Sequence, residues 1–67
     1  MYKPYEVITI YAVLKDNQRI KYNACKNSET IIPNIIKEVY KDRLYGVLVE
    51  KRKMLFGEEL DRTAYWL

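Results

Sequence analysis

The stretch V7-ITIYAVLKDNQRIKYNA-C25 decides the fold. From Tyr5 to Leu14 the chain is rich in β-branched and aromatic residues. Alternation puts Glu6, Ile8, Ile10, Ala12 and Leu14 on one side of a strand and Tyr5, Val7, Thr9, Tyr11 and Val13 on the other. Only Glu6 and Thr9 are polar, so both sides are apolar, as in a central strand. Lys15, Asp16, Asn17 and Gln18 make a short turn with two good turn formers at its centre. The return, Arg19 to Ala24, alternates: Ile20, Tyr22 and Ala24 point inward, and Arg19, Lys21 and Asn23 point to water. That is the pattern of an edge strand whose charges discourage stray pairing.

Outward from this hairpin, KNSETIIPNIIKEVYKD predicts a helix of about three turns. Ser28 or Thr30 supplies a cap, Glu29 suits the positive end of the dipole, and Pro33 is tolerable only in the first turn. The helix therefore starts near Thr30. Ile31, Ile32, Ile35, Ile36, Val39 and Tyr40 form a broad apolar stripe opposite Asn34, Lys37, Glu38 and Lys41. LYGVLV after Arg43 predicts a second central strand. The last stretch, MLFGEELDRTAYWL, fits helix and strand periodicities alike; a turn at Gly57 and Glu58 favours an antiparallel strand.

A hairpin, a crossover helix and a third strand leave few topologies. A right-handed crossover puts the third strand beyond the first, and the tail adds the outer edge. The expectation is a single α+β domain over residues 1–67: a small antiparallel sheet, strand order 2-1-3-4, with one helix on one face. The two strands that are apolar on both sides then fall at the centre.

One helix covers one face. The other would present Tyr5, Val7, Tyr11 and Val13, with either Val47 and Val49 or Leu48 from the third strand. An apolar patch of that kind commonly marks an interface. The expected function is binding of another protein, or of a second copy, through Tyr5, Val7, Tyr11, Val13 and Trp66. Trp66 closes a Tyr65-Trp66-Leu67 end that suits core closure, or pairing with a second molecule if the tail is an edge strand. A second reading makes the face a DNA- or RNA-binding platform. Tyr5 and Tyr11 would stack on bases, and Arg19, Lys21, Lys51, Arg52 and Lys53 would meet phosphates.

Composition narrows the classes. The 67 residues contain no histidine and one cysteine, and carry a net charge of +3. No catalytic site, metal site or cofactor is expected, and no small-molecule substrate. The net charge is modest for a dedicated nucleic-acid binder. Glu58, Glu59 and Asp61 suit a solvated loop better than a metal site. Cys25 suits a half-buried structural role, with Lys26 positioned to lower its thiol pKa. Lys3, Pro4 and Glu6 interrupt any signal-peptide core, and no apolar run approaches the roughly 18 residues of a membrane span. The expected location is cytoplasmic. The preference for Ile, Lys, Tyr and Asn fits an AT-rich genome, such as that of a virus or mobile element, and hence a small regulator that occludes a host surface.

Overall fold

A computed structural model describes residues 2–67. Strands β1 (Tyr5–Leu14) and β2 (Arg19–Ala24) form the expected hairpin. Helix α1 (Ile31–Tyr40) follows, then β3 (Leu44–Leu55) and β4 (Glu58–Trp66). The sheet is antiparallel throughout, in the order β2-β1-β3-β4.

Both hairpins turn on positive backbone angles. The Asn17 N–H donates to the Leu14 carbonyl, and the Leu14 N–H donates to the Gln18 carbonyl. With Asn17 at φ 72, this is a type I turn closed by a left-handed residue. Asparagine tolerates that conformation, so no glycine is needed. The β3–β4 hairpin turns at Phe56 (φ 52) and Gly57 (φ 78), one residue earlier than the sequence suggests. Two successive positive angles make it a type I′ turn, which matches the twist of the flanking strands.

The core lies between α1 and one face of the sheet. Ile8, Ile10, Ala12, Val47 and Val49 rise from the two central strands and meet Ile36, with Ile20, Tyr22, Ile32, Tyr40 and Leu44 packed around them. The Tyr22 and Tyr40 hydroxyls hydrogen-bond at 2.7 Å and tie the rim of β2 to the last turn of α1. Near the start of α1, the Glu29 carboxylate binds the Lys51 ammonium and accepts a hydrogen bond from the Tyr65 hydroxyl.

Two local expectations fail. Neither Ser28 nor Thr30 caps α1 through its side chain. The Ser28 hydroxyl instead accepts from the Cys25 N–H, within a turn of 3-10 helix over Lys26–Ser28. Nor does the C-terminal end close the core. Every residue of β4 is exposed.

The molecule is elongated. It measures 47 × 22 × 15 Å with a radius of gyration of 13.3 Å, against about 11 Å for a compact chain of this length. The β3–β4 hairpin is longer than β2 and α1, which accounts for the excess.

Candidate interaction surface

Strand pairing fixes what shares the face away from α1. The register aligns Lys21, Tyr11, Leu48 and Trp66 in one row across all four strands. The next row is Asn23, Thr9, Glu50 and Ala64, and beyond it come Val7, Arg52 and Arg62, then Tyr5 beside Met54. At the other end Arg19, Val13 and Gly46 stand together. Among the described residues no element of the chain crosses this face.

The face is nonetheless uneven. Tyr5 and Trp66 are each 52% exposed, Val7, Tyr11, Leu48 and Met54 are half-buried, and Val13 is buried at 8%. Val13 therefore contributes support rather than contact area. Thr9 is 1% exposed although no helix covers it. Its row, Asn23, Thr9, Glu50 and Ala64, forms a polar waist between two apolar ends. One end is Tyr11, Leu48 and Trp66; the other is Tyr5, Val7 and Met54.

Trp66 owes its position to Gly46. A β-carbon at residue 46 would meet the indole edge at 3.1 and 3.2 Å, so glycine leaves the slot in which the ring lies. Tyr45 meets the same indole edge-on, with centroids 5.9 Å apart. Such a pair is worth roughly 0.5–1.5 kcal/mol beyond the area it buries.

The waist carries the charge. Arg52 stands directly opposite Arg62 in the β3–β4 ladder, a like-charge pairing that costs energy. Each has a carboxylate of its own: Arg62 Nε donates to Glu59 Oε1 at 2.9 Å, while Arg52 Nε lies 3.4 Å from Glu50 Oε1. The Arg52 contact is too poorly aligned to be a hydrogen bond, and that buried nitrogen has no acceptor.

The residues proposed to bind nucleic acid are divided by the sheet. Tyr5, Tyr11, Arg19, Lys21 and Arg52 share the open face. Lys51 and Lys53 fall on the α1 side. Lys51 is held by Glu29, which raises its pKa and lowers that of Glu29, and its ammonium lies 5.8 Å from the Tyr65 ring centre. Lys53 stands between Glu6 and Asp61 in the ladder.

Periodicity alone missed a second apolar surface. Ile32, Ile36 and Tyr40 turn to the sheet, whereas Ile31, Ile35 and Val39 are 55, 54 and 65% exposed. These three, spaced i, i+4 and i+8, form a continuous ridge on the flank of α1. The signal was present in the adjacent apolar pairs: a stripe two residues wide at each turn exceeds what one helix on a narrow sheet can bury.

Other candidate features are weaker. Cys25 is exposed rather than half-buried. Its thiol pKa is lowered first by the Ser28 hydroxyl, 3.3 Å from the sulfur, and then by backbone hydrogen bonds from Ser28 and Asn27; Lys26 is not among the causes. Glu58, Glu59 and Asp61 lie on an exposed strand, not in a loop. Among the described residues no group of three or more His, Cys, Asp or Glu side chains is placed to hold a metal, and no helix is long and apolar enough to cross a membrane. Open hollows of about 340 Å³ and 240 Å³ lie beside Pro33, Lys37 and Tyr65 and beside Leu14 and Arg43 respectively.

Comparisons with protein-family models, with curated proteins and with solved structures give no match.

Proposed function

We propose that this chain is a non-enzymatic binding protein that docks another protein on the open face of its sheet. The contacts come from Trp66, Tyr11 and Leu48 at one end and from Tyr5, Val7 and Met54 at the other. The observation that carries this reading is that, among the described residues, no element covers a face that exposes Tyr5 and Trp66 by half. Tryptophan and tyrosine are the residues through which small interfaces gain most of their affinity. The polar waist adds selectivity: the guanidinium groups of Arg52 and Arg62 would favour a partner that brings acceptors or carboxylates to the middle of the contact. The mode of action is occlusion of the partner's surface, and a cytoplasmic location accompanies it.

The test is site-specific photo-cross-linking in cells that express the chain. A cross-linking residue is placed at Tyr11 or Trp66 on the open face, and at Lys37 on α1 as the control. Discrete adducts from the first two positions and none from Lys37 are expected. Adducts from Lys37 alone would refute the assignment.

A second reading, binding of nucleic acid, is favoured by Arg19, Lys21, Arg52 and Arg62 sharing a face with Tyr5 and Tyr11. Glu50 and Glu59 on the same face, and the removal of Lys51 and Lys53 to the other, weaken it. A labelled mixed-sequence oligonucleotide titrated at low salt separates the two. Binding that weakens steeply with added salt and with Arg52→Ala would support the nucleic-acid reading.

A further inference from the structure

The sheet ends in two unpaired edges, and their chemistry differs. Along β2 the hydrogen bond from the Leu14 N–H to the Gln18 carbonyl sets the alternation, which leaves the main-chain groups of Arg19, Lys21 and Asn23 pointing to solvent. Two of those three residues are cations, the usual protection of an exposed edge. Along β4 the bond from the Leu67 N–H to the Val47 carbonyl sets the alternation in the same way, and Arg62, Ala64 and Trp66 present their N–H and C=O groups outward. From Thr63 to Trp66 the strand carries no charge, no proline and no lysine. This edge is open and unprotected.

We propose that β4 pairs antiparallel with β4 of a second copy of this chain, about a two-fold axis at Thr63. The two sheets then join edge to edge. Such an axis stands perpendicular to the sheet, keeps open face beside open face, and passes through a residue opposed to itself. An axis at Arg62 would set two guanidinium groups directly opposite each other, which is unfavourable. An axis at Ala64 would oppose two alanines, without the hydroxyl pairing that threonine offers. With the axis at Thr63, Thr63 faces Thr63, a favourable cross-strand pair. Arg62 then stands beside the partner's Ala64, and their outward main-chain groups complete hydrogen bonds. Trp66, 52% exposed in the single chain, comes beside the partner's Leu60, which lies at the irregularity in the β3–β4 register. Asp61 falls beside the partner's Tyr65. No like charges oppose across this register. The Tyr11-Leu48-Trp66 rows of both copies then lie on one continuous surface near the axis. The pairing goes beyond the docking role proposed above and holds even if the open face binds nothing else.

The experiment uses the whole chain in three forms. Sedimentation over a wide concentration range should show the mass rising from 8.1 kDa toward twice that value. Ala64→Pro removes only an outward N–H, which an edge strand tolerates, and should weaken association by about tenfold or more. Thr63→Cys in a Cys25→Ser background should give a disulfide-linked dimer under mild oxidation, because directly opposed positions of antiparallel strands lie within disulfide reach. A single 8.1 kDa species at every concentration would overturn the proposal. So would association unchanged by Ala64→Pro, or a Thr63→Cys chain that stays uncross-linked; the last readout holds even if the proline variant fails to fold.

Discussion

The indole of Trp66 lies over Gly46, close enough that a single added methyl group would touch it at 3.1 Å. A residue without a side chain on β3 thus sets the position of the largest side chain on the open face. Gly46→Ala should move the ring by a few tenths of an ångström. Because Trp66 is exposed, the cost in stability should stay below about 1 kcal/mol. The check is an NMR spectrum of the indole: shifted indole resonances are expected, and unchanged indole shifts would show that the slot is not shaped by Gly46.

Neighbouring isoleucines on α1 should behave oppositely. Ile36 is 2% exposed in the core, whereas Ile35 is 54% exposed. Ile36→Ala should cost about 2–5 kcal/mol, most of the stability of a domain this small, which is roughly 3–10 kcal/mol. Ile35→Ala should change stability by less than about 0.5 kcal/mol. Urea titration of both variants decides the matter; equal losses would mean that α1 is rotated from the orientation described.

Lys41 ends α1 at φ 46 and ψ -116, a conformation that suits glycine and strains any residue with a β-carbon. Lys41→Gly should stabilise the fold by about 1 kcal/mol, a typical cost of such strain. Thermal unfolding at neutral pH reads the change, and a lower midpoint would contradict it.

The Tyr22–Tyr40 hydrogen bond gives stability a dependence on alkaline pH. Tyr22 has its pKa raised, first by the hydrogen bond to Tyr40, then by burial. The folded chain therefore holds this proton more tightly than the unfolded chain. The contribution is complete below pH 10, the unfolded value, and is lost as pH rises from there through the folded pKa. Tyr22→Phe should cost about 1 kcal/mol at neutral pH and flatten this part of the alkaline decline. An identical decline in wild type and variant would show that Tyr22 does not titrate in this way.

Cys25 should alkylate faster at neutral pH than an unperturbed thiol, because the Ser28 hydroxyl favours the thiolate. Ser28→Ala should move the pH–rate profile for iodoacetamide upward in pH. A profile unmoved by that change would assign the shift to another group.

Most of the fold was legible in the sequence because the two periodicities were clean. Both faces of β1 are apolar, β2 alternates, and the α1 stripe is regular, so sheet order followed from connectivity. The tail was harder: Leu60, Arg62, Ala64 and Trp66 alternate, yet a helical stripe fits the same residues, and pairing with β3 chose between them. The face residues were only partly legible. Strand alternation placed Tyr5, Val7, Tyr11 and Val13 together, but not the burial of Val13, which depends on its neighbours across the sheet. It also could not assign Leu48 rather than Val47 and Val49 to the open face before the β1–β3 register was known. Lys51 and Lys53 read as part of a basic run with Arg52, although successive strand residues point to opposite faces. The apolar ridge of α1 stayed hidden because a hydrophobic stripe shows which residues prefer burial, not how much sheet lies beneath them.

The most direct measurement is the attenuation of side-chain NMR signals by a soluble paramagnetic probe, applied to the isolated chain. The account requires strong attenuation at the Trp66 indole, the Tyr5 ring and the Met54 methyl, with Ile10, Val47 and Val49 protected beneath α1. Equal protection of both sets would mean that the second face is already covered, and the docking role would have no surface on which to rest.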